Sequence, residues 1–405
     1  MLGDKRLIQS IKLKNFLSFG PDTPEFELKS LNVIIGPNSS GKSNLIEAFD
    51  FLRATSKDLS YAIRGVGGVT DLLWKGSKET PTAELEAVIY YHDGIIPLRH
   101  KISFTRVGQR FELTDEAVEN AQPEGILLKT VRFFYRFQQG RPVINVYEGT
   151  SKTNGNEKLT TRKLQREDFL PDQSVLSQRK DPDQYPEITY LGNQYSKIKL
   201  YREWNTGRHT TPREPQKADL PEDFLLENAS NLGLVLNDLE HQPGWSLLLD
   251  KLHQYVDSFK DISTKIHGGT IQIYLHELDL FEPIPATRLS DGTLRYLCLL
   301  SILCHPSPPP LICIEEPEIG LHPDILPIIA DLLIEASHKT QLIVTTHSEV
   351  LIDALTKHPE AVVICEKHNG STQMKRLEYD ELKEWLQKYS LGDLWRKGEL
   401  GGNRW

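Results

Sequence analysis

One eight-residue segment constrains this chain more than any other. Gly36-Pro37-Asn38-Ser39-Ser40-Gly41-Lys42-Ser43 fits the pattern G-x-x-x-x-G-K-[ST] at every specified position. It follows a compact apolar run, Leu31 to Ile35, which reads as a buried strand, and it opens a helical segment. Strand, glycine-rich loop and helix in that order make a cradle for phosphate. Backbone N–H groups of the loop face the phosphate oxygens, and the helix aims its positive end at the same place. Lys42 would neutralise the β- and γ-phosphates of ATP, and the Ser43 hydroxyl would be a ligand for Mg²⁺.

A second signal lies far along the chain. Leu311-Ile312-Cys313-Ile314 is an apolar strand that delivers two adjacent carboxylates, Glu315 and Glu316, at its end. Beside a phosphate loop, the first suits Mg²⁺, directly or through water, and the second suits polarisation of an attacking water. Without that loop the two glutamates would be unremarkable. Leu289-Ser290-Asp291-Gly292-Thr293 opens a helix, where Ser290 and Gly292 can approach a phosphate; the same tripeptide also makes an ordinary turn and N-cap. Thr345-Thr346-His347-Ser348 follows a buried strand and places His347 where it can sense a γ-phosphate, although a lone histidine at a strand end is often only solvated or capping.

The surrounding organisation is read in three parts. With 405 residues and about 150 per domain, two to three units are expected. Residues 1–80 begin with an alternating strand carrying Leu7, Ile11 and Leu13 on one face, then a short strand at Glu25 to Leu28. Residues 81–284 change texture. Thr82 to Tyr91, Leu98 to Arg106 and Val131 to Phe137 read as strands of an antiparallel β-meander, with turns marked by Gly94, Gly108 and Gly140. Ser151 to Glu167 is polar and expected to be a mobile loop, and Leu220 to Phe259 turns helical, with Leu225, Leu232, Leu236 and Leu239 spaced for one face. Eleven prolines between Pro81 and Pro243 exclude a long coiled coil. Residues 285–405 return to α/β: helices at Thr293 to Leu303, Ile325 to Ala336 and Ser348 to Leu355 alternate with strands at Leu311 to Ile314, Gln341 to Thr345 and Ala361 to Cys365. Such alternation implies a largely parallel sheet with ligands at the strands' carboxyl ends.

Composition removes several function classes. Acids outnumber bases 56 to 47, a net charge of −9, so nucleic acid would have to meet a local basic patch. The four cysteines form no C-x-x-C pair and have apolar neighbours, which argues for buried reduced thiols rather than zinc or disulfides. No run approaches the ~18 apolar residues of a membrane span, and the first residues lack the apolar core of a signal peptide. A cytoplasmic location is expected.

The order phosphate loop, long insertion, Leu-Ser-x-Gly helix, acidic strand and histidine resembles the ATP-binding-cassette heads of the RecF/SMC class. It is most similar to the stand-alone OLD-like AAA ATPases, whose acidic segment reads much like Glu315-Glu316-Pro317-Glu318-Ile319-Gly320-Leu321-His322-Pro323. The opening Ile11-x-x-x-Asn15-Phe16-x-Ser18-Phe19 also resembles that family's first strand and adenine-side loop, and Gly398 to Gly402 resembles a tail of stand-alone members. The resemblance covers about residues 1–75 and 285–405. It implies an α/β, ABC-type P-loop ATPase head whose sheet is built from both chain ends, with the β-meander and a helical lobe inserted. It implies that Gly36 through Asn44 and Asn15 bind ATP, that Ser43 and Glu315 bind Mg²⁺, and that Lys42, Glu316 and His347 are catalytic. It implies a head-to-tail homodimer in which Ser290 and Gly292 contact ATP on the other subunit, with Gly320 to Asp324 crossing the interface. Asp291 stands where many relatives carry glycine, and Gln194 is the candidate for the glutamine that links nucleotide to insertion.

Full-length OLD nucleases carry a TOPRIM domain after the ATPase. Only 39 residues follow Glu366 here, without an Asp-x-Asp, so a nuclease is expected on another polypeptide. The leading functional expectation is an ATP-switched dimer controlling a separate effector, a nuclease or toxin in antiviral defence. The alternative is a RecF-like repair ATPase that binds DNA. It rests on Arg179 to Lys217, where Lys197, Lys199, Arg202, Arg208 and Arg213 interleave with Tyr190, Tyr195, Tyr201 and Trp204, diluted by Asp181, Glu187, Glu203 and Glu214. A zincin-like start at His276-Glu277 fails because Leu280 occupies the second ligand's place.

Overall fold

The apolar run before the phosphate loop becomes an interior strand, β3 (Leu31–Ile35), of a six-stranded sheet. The computed structural model describes residues 6–92, 94, 96–123, 131–138, 141–148, 158–163, 170 and 172–401. In this sheet the order is β10 (Lys199–Tyr201), β15 (Leu311–Glu315), β16 (Gln341–Thr345), β3, β17 (Val362–His368) and β18 (Ser371–Arg376). The first five strands are parallel and β18 runs back along β17. Both chain ends therefore build the sheet, with one edge strand, β10, supplied from the middle of the sequence. Parallel pairing of Tyr201 with Ile314, of Glu315 with Thr345 and of Thr345 with Ile34 brings the carboxyl ends of four strands to one rim.

The central strands β15, β16 and β3 are mostly apolar because both of their faces are covered. Ile34, Leu311, Cys313, Ile343 and Val363 face one hydrophobic cluster, while Val33, Ile35, Ile312, Ile314, Leu342 and Val344 face a second. The first cluster holds α1 (Lys42–Thr55), α2 (Leu59–Gly65), α3 (Val69–Leu72), α4 (Val175–Gln178) and α5 (Pro186–Ser196). The second holds α6 (Leu232–Leu239), α7 (Trp245–His253), α8 (Asp291–Leu303), α9 (Leu326–Ala336), α10 (Glu349–Ala354) and α12 (Leu391–Arg396), with α11 (Tyr379–Leu386) laid on its edge through Leu382 and Leu386.

An antiparallel sheet closes the first cluster. Its order is β2 (Phe26–Glu27), β1 (Ile8–Lys14), β4 (Ala83–Ile89), β5 (Leu98–Val107), β6 (Arg110–Asn120), β7 (Phe133–Gln138), β8 (Arg141–Glu148) and β9 (Lys158–Lys163). Ile11 pairs with Ala87 and Leu13 with Leu85, so the meander grows directly from the first strand. Alternation explains β4, whose Ala83, Leu85, Ala87 and Ile89 are buried while Glu84, Glu86 and Val88 lie half-buried between them. A third, smaller antiparallel sheet pairs β11 (Gln216–Lys217), β13 (Thr270–Glu277), β12 (Phe259–His267) and β14 (Ile284–Pro285), and it packs on α6 and α7.

The helical stretch from Leu220 is two short helices, α6 and α7, with Leu225 ahead of them. Most of Ser151 to Glu167 lies outside the described residues, except β9. The four cysteines are free and buried, and burial pushes the Cys298 and Cys304 thiols up to about 12 and that of Cys365 to about 11. Among the described residues no helix is long and apolar enough to cross a membrane.

Candidate active site

The loop between β3 and α1 is held in a conformation its glycines permit. Gly36 has φ +151°, and a Cβ there would lie 2.1 Å from the Cys365 carbonyl oxygen on neighbouring β17. Helix α1 starts at Gly41, which caps it with no side-chain bond, and its first turn carries no acid. Its leading N–H groups and positive dipole end are thus left for an anion. Asn38, Ser39 and Ser43 are exposed on the loop, whereas Gly36, Ser40, Gly41 and Lys42 are buried and Pro37 is half-buried. The Lys42 ammonium folds back over its own loop, donating to the carbonyl oxygens of Gly36 at 2.8 Å and Pro37 at 3.0 Å. Burial lowers its pKa, and the nearby Cys365, Glu316, Glu315 and Glu318 oppose that shift.

The acidic strand ends on the same rim. The Glu315 carbonyl accepts from Trp204 Nε1 at 2.9 Å, and burial raises the Glu315 carboxyl against the pull of Arg202. Glu316 takes a positive φ of 47° while its N–H donates to the Thr345 carbonyl of β16 at 2.9 Å. That turn brings its Oε1 to 3.7 Å from His347 Nε2. Burial, with the charge of Lys42, lowers the His347 pKa, so the imidazole is neutral near pH 7. The spacing of residues 315, 316 and 347 at strand ends thus does bring these side chains to one place with Lys42.

Glu318, in the same acidic segment, holds the rim together. Its Oε1 accepts from Thr346 Oγ1 at 2.7 Å and from the His347 N–H at 2.8 Å, and burial raises its carboxyl. The third carboxylate of Glu-Glu-Pro-Glu, aimed back at a Thr-His pair, is the available signal.

Asn15 and Asn44 are occupied within the protein. Asn15 Nδ2 donates to the Thr82 carbonyl at 3.0 Å, and Asn44 Nδ2 donates to Ser18 Oγ at 2.7 Å. Gln194 sits inside α5, ahead of β10 rather than after it. The side chain that follows β10 at the rim is Arg202, which donates to Glu47 on α1 at 2.7 Å and adjoins Asp50. Arg53 joins Asp50 and Glu227 in the same cluster. An open cleft of about 510 Å³ borders this cluster, lined by Asp50, Arg53, Arg202, Glu203, His209 and Glu227 and not by the phosphate loop.

The basic and aromatic stretch is divided: Lys197 and Arg208 are exposed, whereas other members are drawn into the protein. Arg213 is buried and donates to the carbonyls of Thr206, Gly207, Ala286 and Leu289 and to Asp291 Oδ1. Tyr195 and Tyr201 are buried, and Trp204 stacks on Tyr201. Arg295 lies over the Trp204 ring, donating to the Trp204 carbonyl at 2.7 Å and to that of Ile319.

Ser290 and Gly292 stand at the start of α8. Ser290 is exposed, and its Oγ accepts from the Thr293 N–H at 3.0 Å. Gly292 packs so closely that a Cβ would lie 2.8 Å from the Gly320 carbonyl and 2.9 Å from the Tyr255 hydroxyl. The Asp291 at the variable position is explained by its ion pair with Arg213. Ser43 and Glu315 offer a hydroxyl and a carboxylate, the hard oxygen donors that suit Mg²⁺.

A family model described as "AAA domain, putative AbiEii toxin, Type IV TA system" matches residues 31–353. An ATP/GTP phosphatase of Helicobacter pylori is 21% identical over 357 residues, spanning 86% of this chain and 87% of the relative. The Old nuclease of Escherichia phage P2 is 28% identical over 179 residues, 38% of this chain and 28% of that one. Among solved structures, an Smc head bound to the C-winged helix domain of ScpA superposes with a TM-score of 0.57 at 15% identity, covering 93% of this chain and 99% of the other. That likeness concerns the fold.

Proposed function

The chain belongs to the AAA family so described and is an ABC-type P-loop ATPase of the OLD-like, SMC-related class, and from that premise we propose that it is a nucleotide-switched dimer controlling a separate effector. One observation carries the reading: Lys42, Glu315, Glu316 and His347, drawn from the phosphate loop and two strand ends, converge on one rim of the parallel sheet. The triphosphate lies along Gly36 to Ser43, and the Lys42 ammonium moves from the carbonyls of Gly36 and Pro37 to the β- and γ-phosphates. Glu316 orients and polarises the water that attacks the γ-phosphate. His347, whose Nε2 lies 3.7 Å from Glu316, offers its ring to the γ-phosphate. Ser43 and Glu315 would hold Mg²⁺, which neutralises charge on the phosphates when bound.

Ser290 and Gly292 serve the other subunit. A helix start presented to solvent can reach the γ-phosphate of a second copy placed head to tail, so that ATP closes the dimer and hydrolysis releases it. The effector is a nuclease or toxin, a reading supported by the toxin wording of the family description and by the partial match to the Old nuclease, and the whole acts in the cytoplasm. The RecF-like alternative loses part of its support, since Arg202, Arg213, Tyr195 and Tyr201 are engaged inside the protein while Lys197 and Arg208 stay exposed. The test is the solution mass of Glu316→Gln with Mg-ATP, followed by capture of its partners from the native host. A doubled mass and a co-purified nuclease or toxin are expected. An unchanged mass overturns the switch, and recovery of nuclease-sensitive DNA alone overturns the effector.

A further inference from the structure

A phosphate loop works only if its N–H groups face the phosphates, which requires its carbonyls to turn away. The Ser40–Gly41 peptide shows what turns one of them. The Ser40 carbonyl accepts a hydrogen bond of 2.7 Å from Thr372 Oγ1, and Cys365 Sγ also reaches it, at 3.5 Å. Thr372 lies on β18, in the hairpin that follows β17, and is 332 residues from Ser40. It is fully buried, and its own N–H donates to the Ser18 carbonyl at 2.8 Å. In a planar trans peptide C=O and N–H point in opposite directions. Holding the Ser40 carbonyl inward therefore sends the Gly41 N–H out into the mouth of the loop.

The direction of the surrounding hydrogen bonds follows from proton count. The Ser40 carbonyl can only accept, so it takes the single hydroxyl proton of Thr372. Ser18 Oγ, 2.7 Å from Thr372 Oγ1, must then donate to it. Ser18 Oγ in turn accepts from Asn44 Nδ2 at 2.7 Å. The result is a one-way chain from the α1 amide of Asn44 through Ser18 and Thr372 to Ser40. It also dictates the second glycine of the motif from behind. A Cβ on Gly41 would lie 2.2 Å from Thr372 Oγ1 and 2.7 Å from Ser18 Oγ, at a φ of +114° that already favours glycine.

We propose that Thr372 is a positioning residue of the nucleotide site, fixing the Ser40–Gly41 peptide so that the Gly41 N–H meets phosphate. This rests on the reading of Gly36 to Ser43 as the ATP site. The contact would exist in ground and transition states alike, so its loss raises KM and leaves kcat. The near-isosteric Thr372→Val removes the proton donor and leaves the buried Ser40 carbonyl only the long contact from the Cys365 thiol. Its Mg-ADP affinity, by calorimetric titration, should fall about tenfold, with KM for ATP rising in step and kcat within about twofold. Thr372→Ser should restore both. Ser18→Ala, which cuts the chain one link earlier, should weaken Mg-ADP about threefold, and it carries the test if the valine variant does not fold. A folded Thr372→Val, or a folded Ser18→Ala, with a lowered melting temperature but wild-type affinity overturns the proposal while leaving the site reading intact. A wild-type protein that binds no Mg-ADP overturns both.

Discussion

Helix α1 starts at Gly41, which gives its first turn no side-chain partner, whereas α8 starts at Ser290, whose hydroxyl oxygen accepts from the Thr293 N–H. The first turn of α1 carries no acid; that of α8 carries Asp291, paired with the buried Arg213. Both sequences read as phosphate-facing helix starts, yet their local electrostatics are opposite. The α1 terminus keeps its donors and its positive end for a ligand bound by the same chain. The α8 terminus is already capped and charge-balanced, so it holds its shape while facing solvent. On the proposed reading, a site completed by a second molecule has to be stable before that molecule arrives, and the cap and ion pair of α8 supply that stability.

The most damaging change should be Glu316→Gln. Loss of the carboxylate that polarises water is expected to cut ATP turnover roughly 10²- to 10⁴-fold while nucleotide affinity stays within about threefold, as steady-state hydrolysis and titration would show. Should binding collapse too, the rim residues of α1 and β15 are not separable. Lys42→Ala should weaken ATP binding on the order of 10²-fold, because charge-assisted bonds to two phosphates are lost; normal turnover in this variant would defeat the assignment of α1 as the occupied terminus. Ser290→Ala sharpens the contrast from the other side. Its monomeric affinity for Mg-ADP should be unchanged, its ATP-driven association lost, and its stability lowered by about 1 kcal/mol through loss of the cap. Equal damage to monomeric binding would erase the distinction between the helices. The mildest effect concerns pH. His347 has a lowered pKa, so acid adds a proton beside Lys42 only below the usual histidine range. Turnover should climb with pH, level off before neutrality, and lose that acid limb in His347→Asn; a limb that persists assigns it to another group.

Much of this was legible beforehand, for identifiable reasons. Strands β3, β15 and β16 are covered on both faces and appear in sequence as short, mainly apolar runs, broken in β3 only by the buried Asn32. The glycine-rich loop and Glu315-Glu316 carry their chemistry in adjacent residues. What stayed hidden depends on partners distant in sequence. Strand β10 is only Lys199–Tyr201, too short to show a period, and it is a strand because β15 pairs with it. Arg202 and Arg213 look like surface charges until Glu47, the carbonyl of Leu289 and Asp291 are brought to them. Thr372 lies in a stretch with no motif, and only the return of β18 along β17 places it behind the loop. Strand β6 carries Glu112, Asp115, Glu116 and Glu119, which mask its pattern; Glu116 is nonetheless fully buried, bonded to Ser174, the Val175 N–H and His100.

The position of β3 between β16 and β17 has a consequence for synthesis. The phosphate loop is made well before both neighbours of its strand, which follow some 300 residues later. Gln341, which exchanges hydrogen bonds with the backbone of Ile8, sits at a separation of 333 residues. At ~5–20 residues per second, the nascent chain would carry an unpaired apolar strand and an unformed loop for roughly 15 to 60 seconds. A growing chain of this protein thus exposes an apolar strand well before its nucleotide site can form. ATP itself can stabilise the chain only after the final strands have been translated.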